Sequence, residues 1–333
     1  MSGHTRERVL ITTVPFGEVD SAPLELLGNA GIAYSINPLG RRLTEDELAE
    51  MIADYSAVIA GTEPLSDRVM AAGRRLRLVA RVGIGLDNVD LNAARARGVA
   101  VTYTPDAPSP AVAELTIGLM INLLRGIGIA DRECRRGAWR RIMGRRLSEC
   151  IVGVIGCGRV GKRVIRHLRA GFPPAHILAN DIAPDHVSPD LANVEWTTKA
   201  DIYERADVIT LHLPLTSATN RLIGAPELAR MKPDVLLVNT SRGNMIVEAD
   251  LAAALRRREI GGAAIDVFGR EPYQGELCEL ENCLLTAHMG SMARDCRGRM
   301  EFEATQEVVR FFTGQPLQSV VPESEYALME SCS

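Results

Sequence analysis

Short apolar runs alternate with amphipathic stretches along nearly the whole chain. Residues 8–14 (RVLITTV), 57–61 (AVIAG), 77–83 (RLVARVG) and 99–104 (VAVTYT) read as strands. TEDELAEMIADY, 44–55, reads as a helix opened by a capping box, with Thr44 as the cap and Glu47 three residues on. Strands separated by helices imply a parallel sheet with right-handed crossovers. A long apolar helix, 109–127, follows the proline-rich stretch TPDAPSP, and the pattern then restarts. Strand 151–155 (IVGVI) opens a second series, continued by 177–181, 207–213, 234–240, 261–267 and 282–288. A closing helix near 298–313 has no evident place in the second sheet. Its return to the first unit would make that unit discontinuous. The predicted class is α/β, in two units joined near residue 105.

Composition narrows the picture. At 333 residues the chain exceeds one ordinary core, in keeping with two units. A net charge of -4 and an aromatic content of 4% argue against a nucleic-acid partner, which needs basic surface and stacking platforms. No run approaches the ~18 apolar residues of a membrane span. The basic opening segment lacks the apolar core of a signal peptide. A cytoplasmic protein without a membrane partner is expected. The seven cysteines (Cys134, Cys150, Cys157, Cys278, Cys283, Cys296 and Cys332) are odd in number and include no CxxC pair. Neither a disulfide framework nor a metal site is expected from them.

The strand 151–155 runs into Gly156-x-Gly158-x-x-Gly161 and then a helix. In that context each glycine has a task. Gly156 permits a tight turn, Gly158 lets a pyrophosphate approach the backbone, and Gly161 lets helix and strand pack closely, with the helix N-terminus facing the phosphates. The next strand ends at Asp181, and 181 − 161 = 20, the spacing of a carboxylate that bonds the adenosine ribose. Ile182, not arginine, follows it. A 2′-phosphate would meet a negative charge with no counter-charge, so NAD is expected over NADP.

Three later strands end in polar residues. Arg242 follows one, Asp266 and Glu271 the next, and His288 the last. In an open parallel sheet, ligands lie beyond the carboxyl ends of the strands. Hydride addition to a keto acid needs a cation to hold the carboxylate and polarise the carbonyl, which a guanidinium does. It needs an acid for the developing alkoxide, a role suited to His. A carboxylate should hold the second imidazole nitrogen. Arg242, His288 and Glu271 suit these roles.

With their flanks, these residues resemble the D-isomer-specific 2-hydroxyacid dehydrogenases, in particular the phosphoglycerate-dehydrogenase-like branch. The likeness runs from about residue 57 to 322. It rests on AGTEPLS, RVGIGLDNVDL, VAELTIGLM, the glycine loop, HLPLTSATN, VNTSRG, AAIDVFGREP and AHMGS. It implies a Rossmann nucleotide-binding domain (105–288) inserted into a discontinuous, flavodoxin-like substrate domain (1–104 and 289–333). It also implies catalysis in the cleft between the domains, and homodimers formed through the nucleotide domains. By matching motifs, Arg242, Glu271 and His288 would be catalytic. The backbone of Val82, Gly83 and Ile84 would hold the substrate carboxylate as an anion-binding nest. Arg159 and Val160 would contact the pyrophosphate. Pro214, Thr240, Asp266 and His288 would line the rest of the cofactor site. The substrate would be a small anionic 2-keto or 2-hydroxy acid.

The chain departs from that pattern in places. Ala287 stands where the family usually has Pro before the catalytic His, and Ala293 replaces a frequent Thr. No regulatory domain is expected after residue 322. Arg132, Arg135, Arg136, Arg140, Arg141, Arg145 and Arg146 crowd around Trp139. They read either as a solvated or dimer-facing helix end or as help for an extra anionic group, a phosphate or phosphonate. Two other activities share the pattern: a phosphite dehydrogenase using the same triad, and an NAD-sensing, corepressor-like scaffold.

Overall fold

The computed structural model describes residues 7–330, and the chain separates into two compact units. One runs to Pro108 and resumes at Met292; the other spans Ser109–Ser291.

The first unit is built on five parallel strands: β1 (Arg8–Ile11), β2 (Ala33–Ile36), β3 (Ala57–Ala60), β4 (Leu78–Arg81) and β5 (Ala100–Thr102). Their order is β2-β1-β3-β4-β5, the flavodoxin-like arrangement, with its switch point between β1 and β3. Every residue of β3 and β4 is buried, as in a sheet covered on both faces. The capping box is formed. Thr44 Oγ1 accepts from the Glu47 amide at 3.3 Å, and the Glu47 carboxylate accepts from the Thr44 amide at 2.8 Å. The helix is shorter than its sequence pattern, Glu45–Met51, and tightens into a 3₁₀ turn at Ile52–Asp54. Helix Arg294–Phe312 packs on helix Ala22–Asn29 and on β3 and β4. It buries Met300, Ala304 and Val308 there, and full burial of one large aliphatic chain stabilises by about 1.5–3 kcal/mol.

The second unit carries seven parallel strands: β6 (Ile151–Ile155), β7 (His176–Asn180), β8 (Glu195–Trp196), β9 (Val208–Leu211), β10 (Leu236–Asn239), β11 (Gly262–Ile265) and β12 (Cys283–Leu285). The order is β12-β11-β10-β9-β6-β7-β8. Counted from β6, this is the doubly wound order of a Rossmann fold with a seventh strand at one edge. Val154, Thr210, Val238, Ala264 and Leu284 stand opposite one another in one row across the sheet. Because the strands are parallel and in step, the segments after β6, β7, β10, β11 and β12 all emerge at the same edge. Helix Ser109–Arg125 packs on helix Arg159–Gly171 and on β10 and β11.

Sequence and structure differ mainly at ends and edges. The apolar runs overshoot their strands: Thr12 and Thr13 leave the sheet after Ile11, and Thr240 leaves it after Asn239. Two strands had no counterpart in the pattern. Both lie at sheet edges: β2 is half exposed, and β8 is two residues long. The six cysteines among the described residues are free; Cys332 lies outside them. No metal-binding cluster of His, Cys, Asp and Glu occurs among the described residues. No single helix there is long and apolar enough to cross a membrane.

Candidate active site

The turn after β6 is dictated by glycine. Gly156 has φ +92°, and a Cβ there would stand 2.4 Å from the His212 carbonyl oxygen; a Cβ on Gly161 would stand 2.0 Å from the Gly156 oxygen. Gly158, the N-cap of helix Arg159–Gly171, faces open space. Arg159 is exposed beside it and Val160 is half-buried. The Asp181 carboxylate bridges two backbones. Oδ2 accepts from the Cys157 amide at 2.7 Å, and Oδ1 accepts from the Ala183 amide at 3.0 Å. Each oxygen retains a second lone pair. An open glycine above a helix N-terminus, with a carboxylate on the next strand, suits the pyrophosphate and ribose of a dinucleotide.

A cavity of about 510 Å³ opens at this turn, lined by Gly158, Asp181, Asp185 and Asp190 together with Arg159, Lys162, Arg163 and Arg166. The sequence reading placed no counter-charge near Asp181. The structure corrects this: one face of the helix, at spacings of three and four residues, supplies four cations. Lys162 pairs with Asp185 at 2.7 Å and Arg166 with Asp190 at 2.5 Å. Lys162, with the amides of Val187 and Ser188, holds the Asp185 carboxyl down at about 2. Beneath the turn lies His212, whose Nε2 meets Thr210 Oγ1 at 3.0 Å and whose buried Nδ1 has no partner among the described residues. Burial pushes its pKa down to about 3, so it is neutral.

At the ends of β11 and β12, His288 Nδ1 lies 2.9 Å and 3.1 Å from the two Glu271 oxygens. Glu271 Oε1 also accepts from the Phe268 amide at 3.1 Å. His288 takes φ +49°, a conformation that costs a non-glycine residue roughly 1–2 kcal/mol. What holds it is Asp266, which is 1% exposed. Its carboxylate accepts from Thr286 Oγ1 at 2.5 Å and from the Met289 and Gly290 amides at 2.9 Å each. The Asp266 carbonyl accepts from the His288 amide at 2.8 Å. The resemblance placed Asp266 in the cofactor site; here its carboxylate is committed to the His288 turn.

Arg242 follows β10, and Asn239 shapes its turn. Asn239 Oδ1 accepts from Ser241, and Nδ2 donates to the Arg242 carbonyl at 2.9 Å. The Arg242 guanidinium donates to the Ser241 carbonyl at 2.7 Å. Gly243 lies so close to the Phe268 backbone, 1.9 Å for a Cβ built there, that no side chain fits; this binds the Arg242 turn to the Glu271 turn. The Thr240 hydroxyl, expected toward the cofactor, meets Thr116 Oγ1 at 3.0 Å. Thr116 itself donates to the Val112 carbonyl, so Thr240 is the donor of that pair. Pro214 is exposed, and its carbonyl accepts from Thr219 Oγ1 at 2.6 Å.

In the first unit, the segment 82–84 follows β4. The resemblance gives this backbone to the substrate carboxylate, and two of its three amides are engaged within the protein. The Val82 amide donates to the Ala60 carbonyl and the Gly83 amide to Thr104 Oγ1, both at 2.8 Å. The Ile84 amide alone has no acceptor among the described residues.

The arginine-rich segment is mostly paired. Arg135 meets Asp131, Arg136 meets Glu133 and Glu281, Arg145 meets Asp207 and Asp234, and Arg146 meets Glu149. Trp139 and Met143 stand 89% and 98% exposed, and helix Ile127–Arg135 buries no residue.

The fold and the polar turns define a dinucleotide-binding α/β protein of two units. Residues 117–290 match the family model of the D-isomer specific 2-hydroxyacid dehydrogenase NAD binding domain. A hydroxypyruvate reductase of Thermotoga maritima is 33% identical over 80% of this chain and 88% of its own. A D-3-phosphoglycerate dehydrogenase of Methanocaldococcus jannaschii is 34% identical over 94% of this chain and 59% of its own. A crystal structure of a protein from Thermus thermophilus superposes with a TM-score of 0.86 at 30% identity, covering 95% of this chain and 100% of that one. This chain therefore belongs to the D-isomer specific 2-hydroxyacid dehydrogenases. It spans little more than half the length of the phosphoglycerate dehydrogenases it matches.

Proposed function

We propose that the protein is an NAD-dependent dehydrogenase that interconverts a small 2-keto acid and the corresponding D-2-hydroxy acid. In this reading residues 105–288 hold NAD, and residues 1–104 with 289–333 hold the substrate. The observation that carries it is the His288–Glu271 bond at the edge of the sheet that also presents the glycine turn and Arg242. With Nδ1–H donated to Glu271, Nε2 is the imidazole nitrogen left to give a proton to the keto oxygen. The glycine turn and the N-terminus of helix Arg159–Gly171 would hold NADH, which would supply a hydride to C2 of the keto acid. Arg242 holds the substrate carboxylate and polarises the carbonyl. Asp266 keeps the imidazole aimed by fixing the turn that carries it. Asp181 accepts from the adenosine ribose hydroxyls.

The test is a panel of 2-keto acids, with and without phosphate or phosphonate, monitored by loss of NADH. Reduction of at least one keto acid to the D product supports the reading. Oxidation of phosphite without keto-acid turnover, or NADH binding without any turnover, would replace it. We also infer a homodimer, in which a second copy covers helix Ile127–Arg135, Trp139 and Met143. A monomer in sedimentation equilibrium would contradict it.

A further inference from the structure

We propose that Asp185 sets cofactor choice by keeping Lys162 from a 2′-phosphate, so that the pocket excludes NADP by sequestering a cation as well as by the repulsion of Asp181. The inference rests on the reading of this cavity as the adenosine end of a dinucleotide site. Lys162 and Asp181 line the same cavity, so a 2′-phosphate at Asp181 has an ammonium within the same walls. That ammonium is paired with Asp185 Oδ2 at 2.7 Å. Asp185 is itself fixed, since its Oδ1 accepts from the Val187 and Ser188 amides at 3.1 and 3.0 Å. Those two bonds lie within the loop after β7, and the Lys162–Asp185 pair ties that loop to helix Arg159–Gly171. Arg166 is tied to Asp190 in the same way, by two bonds of 2.9 and 2.5 Å. Two of the four cations that line the pocket are thus held by carboxylates of the same pocket. Lys162 and Asp185 are about one-third exposed, so the pair is screened but not abolished by water and salt.

The experiment measures binding alone, by calorimetry, with AMP and adenosine 2′,5′-bisphosphate as probes. The readout is the ratio of their affinities, so a general loss of binding cancels. Asp185→Asn keeps an oxygen for the two amides and removes the charge that holds Lys162. The ratio should move toward the bisphosphate by about tenfold, the scale of one partly exposed charge contact. Adding Lys162→Met to Asp185→Asn should return the ratio to near its starting value, and 0.5 M salt should shrink the gain. If the ratio stays put in Asp185→Asn while AMP still binds, Asp185 does not set the choice, though the nucleotide site stands. A gain that persists in the double variant also overturns the proposal, because Lys162 is then not its source. If the unmodified protein binds neither probe, the cavity is not an adenosine site and both readings fall.

Discussion

The two units share one architecture and treat the carboxyl edge of their sheets in opposite ways. In the first, the switch point between β1 and β3 is closed by the protein's own side chains. Glu63, 1% exposed, accepts from Thr12 Oγ1 and from the Gly61 amide. Arg297 binds Glu301 at 2.5 Å and Thr13 Oγ1 at 2.8 Å, and Glu301 also accepts from the Gly17 amide at 2.8 Å. The place where open α/β sheets hold ligands is here a satisfied polar core. In the second, the corresponding edge leaves polar groups facing outward: Gly158, the second lone pairs of Asp181, and His288 with 39% of its side chain exposed. Fold alone thus does not locate function; the turns do. Polar residues paired on every side read as stability, and polar residues held rigid on one side with the other open read as chemistry.

That contrast can be broken by mutation. His288→Ala should cost on the order of 10³-fold in keto-acid turnover, within the range of a lost general acid. NADH binding and the unfolding midpoint should hardly move. Arg297→Met should do the reverse. It leaves Glu301 buried without its counter-charge, at a cost of about 3–5 kcal/mol in denaturant unfolding, while nucleotide binding to whatever remains folded is kept. If the two variants show the same profile, the division of labour between the units is wrong. Arg242→Lys keeps the charge and loses the planar fork, so kcat/KM for the best keto acid should fall about tenfold; unchanged kinetics would remove Arg242 as the anchor. The smallest effect concerns Cys157. Burial pushes its thiol up to about 12, so the reactive thiolate is absent near neutral pH and appears only as pH approaches that value. Iodoacetamide at pH 8 should label Cys157 only after unfolding, and ready labelling in the native protein would show that the glycine turn opens.

The sequence carried the fold class because the central strands, such as β3, β4 and β9, are buried on both faces and therefore read as unbroken apolar runs. Two of the four edge strands, β2 and β8, escaped it. Residues of β2 alternate between half-buried and exposed, and β8 is too short to leave a pattern. The glycine turn, Asp181, Arg242, Glu271 and His288 were legible because each is a local signal at a strand end. What remained hidden depends on partners far apart in the chain. Thr104 takes the Gly83 amide from twenty-one residues away, and Lys162 meets Asp185 across twenty-three. Asp266 was found as a residue but not in its role, since only the folded turn shows that Met289 and Gly290 donate to it.

The most direct test of the account is a comparison of Glu271→Ala with Glu271→Gln. In the proposed reading the Glu271 carboxylate accepts from His288 Nδ1–H and so keeps Nε2 aimed at the keto oxygen. Gln retains an oxygen that can accept from Nδ1–H, and Ala retains none. Glu271→Ala should therefore lower kcat for keto-acid reduction by about 10²-fold, Glu271→Gln should recover part of that loss, and NADH affinity should be kept in both. An unchanged kcat in Glu271→Ala would show that Glu271 does not partner His288 in catalysis, and the proposed proton transfer would be wrong.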